Sequence, residues 1–327
     1  MASDRRPTGT SPDPVPGAPT TAGPTTTGPT TTGPTTTGPT TAGPTTAGAA
    51  PPPPAPRRRS AGRDLPAAIG VGLLIGGVFL ASLLLLRPAF LVFVLVAAVV
   101  GVLEVSAALA ERHLVVPRVP VLVGGALLLV AAYVEGAEAA LVVFGLTCVV
   151  VAAWRVAEGR DGAVRDVAAG LLALAWIPLL ASAVVLMLAQ PDGQMRVLVF
   201  VAAVVASDVG GYAAGATLGR HPLAPSVSPK KSREGLAGSV LLSLVVGAAG
   251  VVLLLDGPWW AGVLLGALVG LTATFGDLAE SMLKRDLGIK DMGTTLPGHG
   301  GVMDRLDSLL VTAPVAWVVL ALLVPAS

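Results

Sequence analysis

From residue 66 onward the chain is a succession of apolar runs separated by short polar stretches. Runs at 66–86, 88–110, 117–134, 138–154, 167–189, 195–217, 236–255, 259–279 and 308–325 are each close to the length at which a helix spans a hydrocarbon layer of about 30 Å. The pattern predicts an all-α, polytopic integral membrane protein with about nine transmembrane helices. The third and fourth runs are short, which suits a tilted or partly interfacial pair. Residues 1–64 follow another rule. From Gly23 to Gly48 they repeat G-P-T-T-T/A with a period of five, and "AAPPPPAPRRRSAGR" follows. So little apolar surface does not offset the entropy of ordering, which predicts a disordered, partly polyproline tail. The tail lacks the apolar core of a signal peptide and is expected to be retained, with Arg57, Arg58 and Arg59 against anionic headgroups. The expected organisation is a cytoplasmic tail, 1–64, and a membrane domain, 65–327, with leading spans to 190 and a polar-loop half from 191.

Composition agrees with this division. Of the 327 residues, 53% are hydrophobic and 13% charged, where soluble domains carry about 25% charged residues. A net charge of +1 gives no case for a nucleic-acid partner. The single cysteine, Cys148, excludes an intrachain disulfide framework and a thiolate metal cluster. With the N-terminus in the cytoplasm, every basic residue of the 21 except Arg87 and Arg196 falls on the cytoplasmic side, as the positive-inside rule requires. Trp259 and Trp260 then read as an outer interfacial anchor. Two long polar loops share the cytoplasmic face, one after the sixth run and one, "GDLAESMLKRDLGIKDMGTTLPGHGGVMDRLDS", between the last two.

These loops hold the candidate chemistry. Asp208 and Asp277 lie within or at the end of apolar runs, where a carboxylate is costly unless it faces a cavity, a cation or a partner. Glu280 and Lys284 are four apart and suit a helix-end ion pair. Asp304 and Asp307, three apart, share a helix face, and with Asp277 they would offer hard oxygen ligands to Mg²⁺ between the last two spans. Gly298, Gly300 and Gly301 allow successive N–H groups to turn toward an anion, and a helix N-terminus follows. Lys230, Lys231, Arg233, Lys284, Arg285, Lys290 and Arg305 interleave with the acids, an arrangement suited to a metal-bound polyphosphate. Lys290 and Asp291 could equally neutralise one another. His299 is a candidate general acid or base; His113 and His221 read as loop residues. Glu104 is an intramembrane acid whose partner the sequence does not name.

The run from Ser281 to Asp307 closely resembles the signature of the phosphatidate cytidylyltransferases (CDP-diacylglycerol synthases): S-x-x-K-R, four residues, K-D, a spacer, H-G-G and D-R-x-D. Ser281, Lys284, Arg285, Lys290, Asp291, His299, Gly300, Gly301, Asp304, Arg305 and Asp307 are in register. Asp208 with "LAPSVSPKKSREG" resembles the family's other cytoplasmic segment, although Ser232-Arg233 stands where members commonly carry Thr-Trp. The resemblance implies transfer of CMP from CTP to phosphatidic acid. It implies catalytic roles for Asp277, Asp304, Asp307, Lys284, Arg285 and His299, the three aspartates holding Mg²⁺. Substrate binding would fall to Asp208, Lys230, Lys231, Ser281, Lys290, Asp291, Gly300, Gly301 and Arg305. It further implies a monovalent cation such as K⁺, a homodimer, and a plasma (inner) membrane enzyme with its site on the cytoplasmic face. A CDP-alcohol phosphotransferase would need a D-G-x-x-A-R segment, which the chain lacks. A transporter with Glu104 and Asp208 as ion-coupling residues is the alternative from another class, but the polar residues crowd one face and no repeated half is visible.

Overall fold

The structure is a computed structural model and describes residues 65–159, 161–295 and 300–326. The predicted tail, 1–64, and His299 and Gly298 of the glycine-rich turn lie outside the described residues. Each apolar run forms a helix: α1 (Leu65–Leu85), α2 (Arg87–Ala110), α3 (Arg118–Val134), α4 (Ala137–Glu158), α5 (Ala163–Leu188), α6 (Gly193–Leu218), α7 (Arg233–Leu254), α8 (Trp259–Leu287) and α9 (Met303–Leu323). α5 absorbs Pro178 through a π-helical turn at Ala175–Leu179, which re-routes the hydrogen bonds that a proline interrupts. Seven of these helices are long and apolar enough to cross a membrane; Gly70–Leu85 and Arg118–Val134 are shorter apolar helices. Large apolar side chains such as Leu74, Val149, Val156, Leu253 and Leu322 face outward, as in a protein whose solvent is lipid. The chain is an all-α, multi-pass membrane protein.

Side-chain contacts sort the helix ends into two sets. At one end Arg112 Nε donates to Leu287 O at 3.0 Å, Val115 N donates to Asp166 Oδ1 at 2.7 Å, and the buried Arg155 pairs with Asp166. At the other, Gln194 donates to Leu83 O at 2.7 Å, and Arg87 to Pro191 O. There too Arg196, held by Asp192 at 2.6 Å, donates to Leu320 O and Val324 O at 2.9 and 2.8 Å. Arg87 and Arg196 thus share the end opposite to Arg112, Arg155, Lys284 and Arg285, the same separation that counting charges along the sequence predicts.

Two boundaries differ from the hydrophobic pattern. α8 continues from the end of its apolar run at 279 to Leu287 and stops at Gly288, whose φ of 72° is the left-handed cap that glycine adopts freely. α9 starts at Met303, ahead of the apolar run at 308. In both, charged side chains are matched within the protein, so helix extends past the hydrophobic limit. The segment after α6, expected as a plain loop, contains a two-stranded antiparallel hairpin, β1 (Pro222–Ala224) and β2 (Ser228–Ser232), with Pro222 opposite Ser232 and Ala224 opposite Ser228.

α6, α7 and α8 pack backbone against backbone. Gly262, Gly266 and Gly270, spaced by four, line the face of α8 that meets Val240, Ser243 and Gly247 of α7. A Cβ at Gly270 would lie 2.7 Å from Val240 Cα. Ser243 Oγ bridges to Gly266 O at 2.7 Å, and Ser239 Oγ bridges from α7 to Ser207 O of α6 at 2.8 Å. Small residues at such spacing are what apolar helices need to associate in a solvent as apolar as themselves.

This packing gives a test. Gly266→Ala would drive a methyl into Ser243 O and the Leu244 backbone, and is expected to cost about 1–3 kcal/mol. Gly145→Ala on α4, with nothing within 4 Å of its added methyl, should be neutral or slightly stabilising. Thermal unfolding of the detergent-solubilised protein measures both.

Candidate active site

A cleft of about 660 Å³ opens at the end of the bundle that carries Lys284 and Arg285. Its walls are α6 (Asp208, Tyr212), the hairpin (Leu223, Lys230, Lys231), α7 (Leu236, Ser239), α8 (Thr274, Asp277) and the start of α9 (Asp304, Arg305, Asp307, Ser308). The hairpin is fixed locally. Ser232 caps α7, its Oγ accepting from Gly235 N at 3.0 Å. Glu234 accepts from the Arg220 and His221 backbone N–H groups at 3.1 and 3.3 Å and pairs with His221 Nδ1 at 2.6 Å. Arg285 Nε donates to Val227 O in the turn between the strands. So held, the hairpin delivers Lys231 onto α8: its Nζ is 2.5 Å from Asp277 Oδ2 and 3.5 Å from Thr274 O.

The acids separate into two groups. Asp277 lies within hydrogen-bonding reach of Asp307, and Asp307 in turn reaches Glu280. Gly276 makes this approach of α8 and α9 possible, since a Cβ there would lie 2.9 Å from Asp307 O. Glu280 is 1% exposed; its Oε2 binds Lys284 at 2.7 Å and its Oε1 has no donor. The Glu280–Lys284 pair read from the i, i+4 spacing is present, but Lys284 also reaches Asp304 Oδ1 at 2.9 Å. Asp304 further accepts Met292 N at 3.1 Å and Gly301 N at 2.8 Å.

The three carboxylates expected to act together are not equivalent. Asp277 and Asp307 converge, whereas the Asp304 carboxylate is committed to Lys284 and two loop amides. Among the described residues no group of three or more His, Cys, Asp or Glu is arranged to hold a metal ion. The glycine-rich turn also differs from its reading as an open anion cradle. Gly301 N is taken by Asp304, and Val302 N and Met303 N donate to Glu104 of α2 at 3.0 and 2.8 Å. Protein carboxylates already fill this helix N-terminus.

Of the sequence-predicted site residues, Asp208, Lys230, Lys231, Asp277, Asp304, Arg305 and Asp307 line the cleft together. Ser281, Lys284, Arg285, Lys290, Asp291, Gly300 and Gly301 do not. Lys284 and Arg285 instead brace Asp304 and the hairpin, and Lys290 and Asp291 are exposed. Sequence reasoning passed over Tyr212 and Thr274, an aromatic and a hydroxyl in helix that reads as ordinary span. It singled out Glu104 without a partner; its partners, Thr295, Val302 and Met303, lie six helices further along the chain, beyond any local signal.

A sequence profile described as "Cytidylyltransferase family" matches residues 66–323. The chain belongs to the cytidylyltransferase family. It is similar to the "Phosphatidate cytidylyltransferase" of Mycobacterium leprae (strain TN), 44% identical over 279 residues, 80% of this chain and 89% of the relative. It is likewise similar to the protein of that name from Mycobacterium bovis (strain ATCC BAA-935 / AF2122/97), 42% identical over 283 residues, 83% of this chain and 92% of the relative. A further relative of that name, from Synechocystis sp. (strain ATCC 27184 / PCC 6803 / Kazusa), is 44% identical over 137 residues, 41% of this chain and 46% of the relative.

The two acid groups respond differently to mutation. Asp304→Ala removes one of the two carboxylates on Lys284 and the acceptor of two loop amides, and is expected to destabilise by about 1–3 kcal/mol. Asp307→Asn relieves a like-charge contact, and is expected to leave the unfolding temperature equal or higher while abolishing activity. Parallel melts and turnover assays of the two variants check the contrast.

Proposed function

We propose that this chain transfers CMP from CTP to phosphatidic acid, giving CDP-diacylglycerol and pyrophosphate for phospholipid biosynthesis. The observation that carries the reading is the cleft, which gathers Asp277 and Asp307 beside Lys231, Lys230 and Arg305 at one end of a membrane bundle. The names of the relatives supply the substrates. In the reaction a phosphate oxygen of the lipid attacks the α-phosphorus of CTP, the new O–P bond forms, and the bond to the β-phosphate breaks with pyrophosphate leaving. Both reactants are anions. Lys230, Lys231 and Arg305 are placed to hold phosphate oxygens and to orient the two reactants, which is most of what phosphoryl transfer asks of a protein. A phosphomonoester has its second pKa near 6, so the attacking oxygen is largely ionised at neutral pH and no general base is required.

Asp277 and Asp307 fit a divalent cation: two hard carboxylates in contact repel unless a proton or a cation lies between them, and Mg²⁺ commonly takes one or two carboxylates and completes its shell with phosphates and water. Mg²⁺ held there would neutralise charge on the nucleotide phosphates. A monovalent cation such as K⁺ and a homodimer belong to the same proposal and rest on the family resemblance alone. The distribution of basic residues supports a site on the cytoplasmic face; the plasma (inner) membrane rests on the family resemblance. The transporter alternative gains no support from a Glu104 whose two oxygens are bound by Thr295, Val302 and Met303.

Purified protein in detergent, given CTP, phosphatidic acid and Mg²⁺, should release pyrophosphate. Release without CTP, or none from folded protein, would move the reading to another class. Within the active protein, His299→Ala should cost less turnover than Asp304→Ala, because no base is needed; near-equal losses would contradict that account.

A further inference from the structure

We infer that Glu104, in the last third of α2 and outside the motif that marks the family, is the positioning residue of the site. It holds the first turn of α9, and through that turn Arg305 and Asp307, in register with Asp277 on α8. The first N–H groups of a helix have no acceptor within the helix, and a carboxylate among them also complements the helix dipole. Glu104 fills that role for α9 from a distant part of the chain. It is 6% exposed; one carboxylate oxygen accepts from Thr295 Oγ1 and, at 3.0 Å, from Val302 N, and the other accepts from Met303 N at 2.8 Å.

The surrounding backbone is cut to fit this side chain. A Cβ at Gly293 would lie 2.5 Å from Glu104 Cδ and Oε1 and 2.8 Å from its Cγ, with Glu104 supplying all three nearest atoms. A Cβ at Gly301 would lie 2.6 Å from Glu104 Oε2. Neither glycine has a positive φ, so close approach, not backbone conformation, requires them. Met303 and Val302 immediately precede Asp304, Arg305 and Asp307, and Asp307 meets Asp277 across the α8–α9 contact. A shift of this turn therefore displaces the acid pair and Arg305 together. Glu104 touches neither reactant; it acts through the helix that does.

The test has two arms. The activity arm rests on the cytidylyltransfer reading; the exchange arm does not. Glu104→Ala, and the isosteric Glu104→Gln in case the alanine variant folds poorly, should lose turnover by about 10²-fold, the order that a misplacement near 1 Å brings. Hydrogen–deuterium exchange should rise in the peptide covering 300–310 and stay unchanged in peptides from α6 and α7. A purely structural role would instead raise exchange throughout and leave turnover per folded molecule intact, and that outcome overturns the inference. Gly293→Ala supplies an independent arm: its methyl meets Glu104 first, so it should mimic Glu104→Ala, and the double variant should be no worse than Glu104→Ala by itself. Additive losses in the double variant, or native exchange at 300–310 in Glu104→Gln, would also overturn it.

Discussion

A charge taken out of water must find a partner, and that requirement organises this bundle more than the hydrophobic effect does, because lipid rewards no apolar face over another. Most of the buried ionic groups along the helices are matched. Arg155 has Asp166; Arg196 has Asp192 and the carbonyls that end α9; Asp304 has Lys284; Glu104 has the amides that begin α9. Asp277 has Lys231. Against that background the Asp307–Asp277 contact is an exception: two acids share a boundary with one lysine between the two of them. A place where the protein leaves like charges in contact is a place prepared for something of opposite sign.

The matched pairs and the exception depend on one another. Glycine spacing brings α6, α7 and α8 into backbone contact, which fixes where Asp208 and Asp277 stand. Gly276 lets α9 approach α8, and Glu104 and Arg196 secure opposite ends of α9 with charges of the sign each helix end favours. The hairpin, anchored by Ser232, Glu234 and Arg285, closes the remaining side with its lysines. The cleft is therefore lined by five elements of the second half of the membrane domain, one of them braced by Glu104 from the first half, although the motif that reveals the family lies almost entirely within one loop and two helix ends.

How much of this could be read in the sequence follows from the range of each interaction. Helices announce themselves through runs of local hydrophobicity, so each expected run is helical, seven of the helices being long and apolar enough to cross a membrane. Their polar extensions do not, since α8 reaches Leu287 only because Lys284 finds Glu280 and Asp304. Asp277 and Asp307 were legible as acids at the edge of apolar runs. The diversion of Asp304 to Met292 and Gly301 was not, because a carboxylate three residues before another looks the same whether it faces a ligand or a loop amide. The hairpin escaped notice for a related reason: strands as short as Pro222–Ala224 carry no periodicity to detect. Glu104 needed the fold itself.

The overrun of α8 has a geometric consequence. About 12 Å of helix stands beyond residue 279, more than the roughly 5–8 Å that headgroups occupy in one leaflet. With the hydrocarbon boundary taken at the end of the apolar run, Asp277 falls near the floor of the headgroup layer and Glu280 and Lys284 rise through it. A diacyl lipid could bring its phosphate alongside these side chains while its tails stay at their usual depth, and a water-soluble nucleotide could meet it there without descending into hydrocarbon.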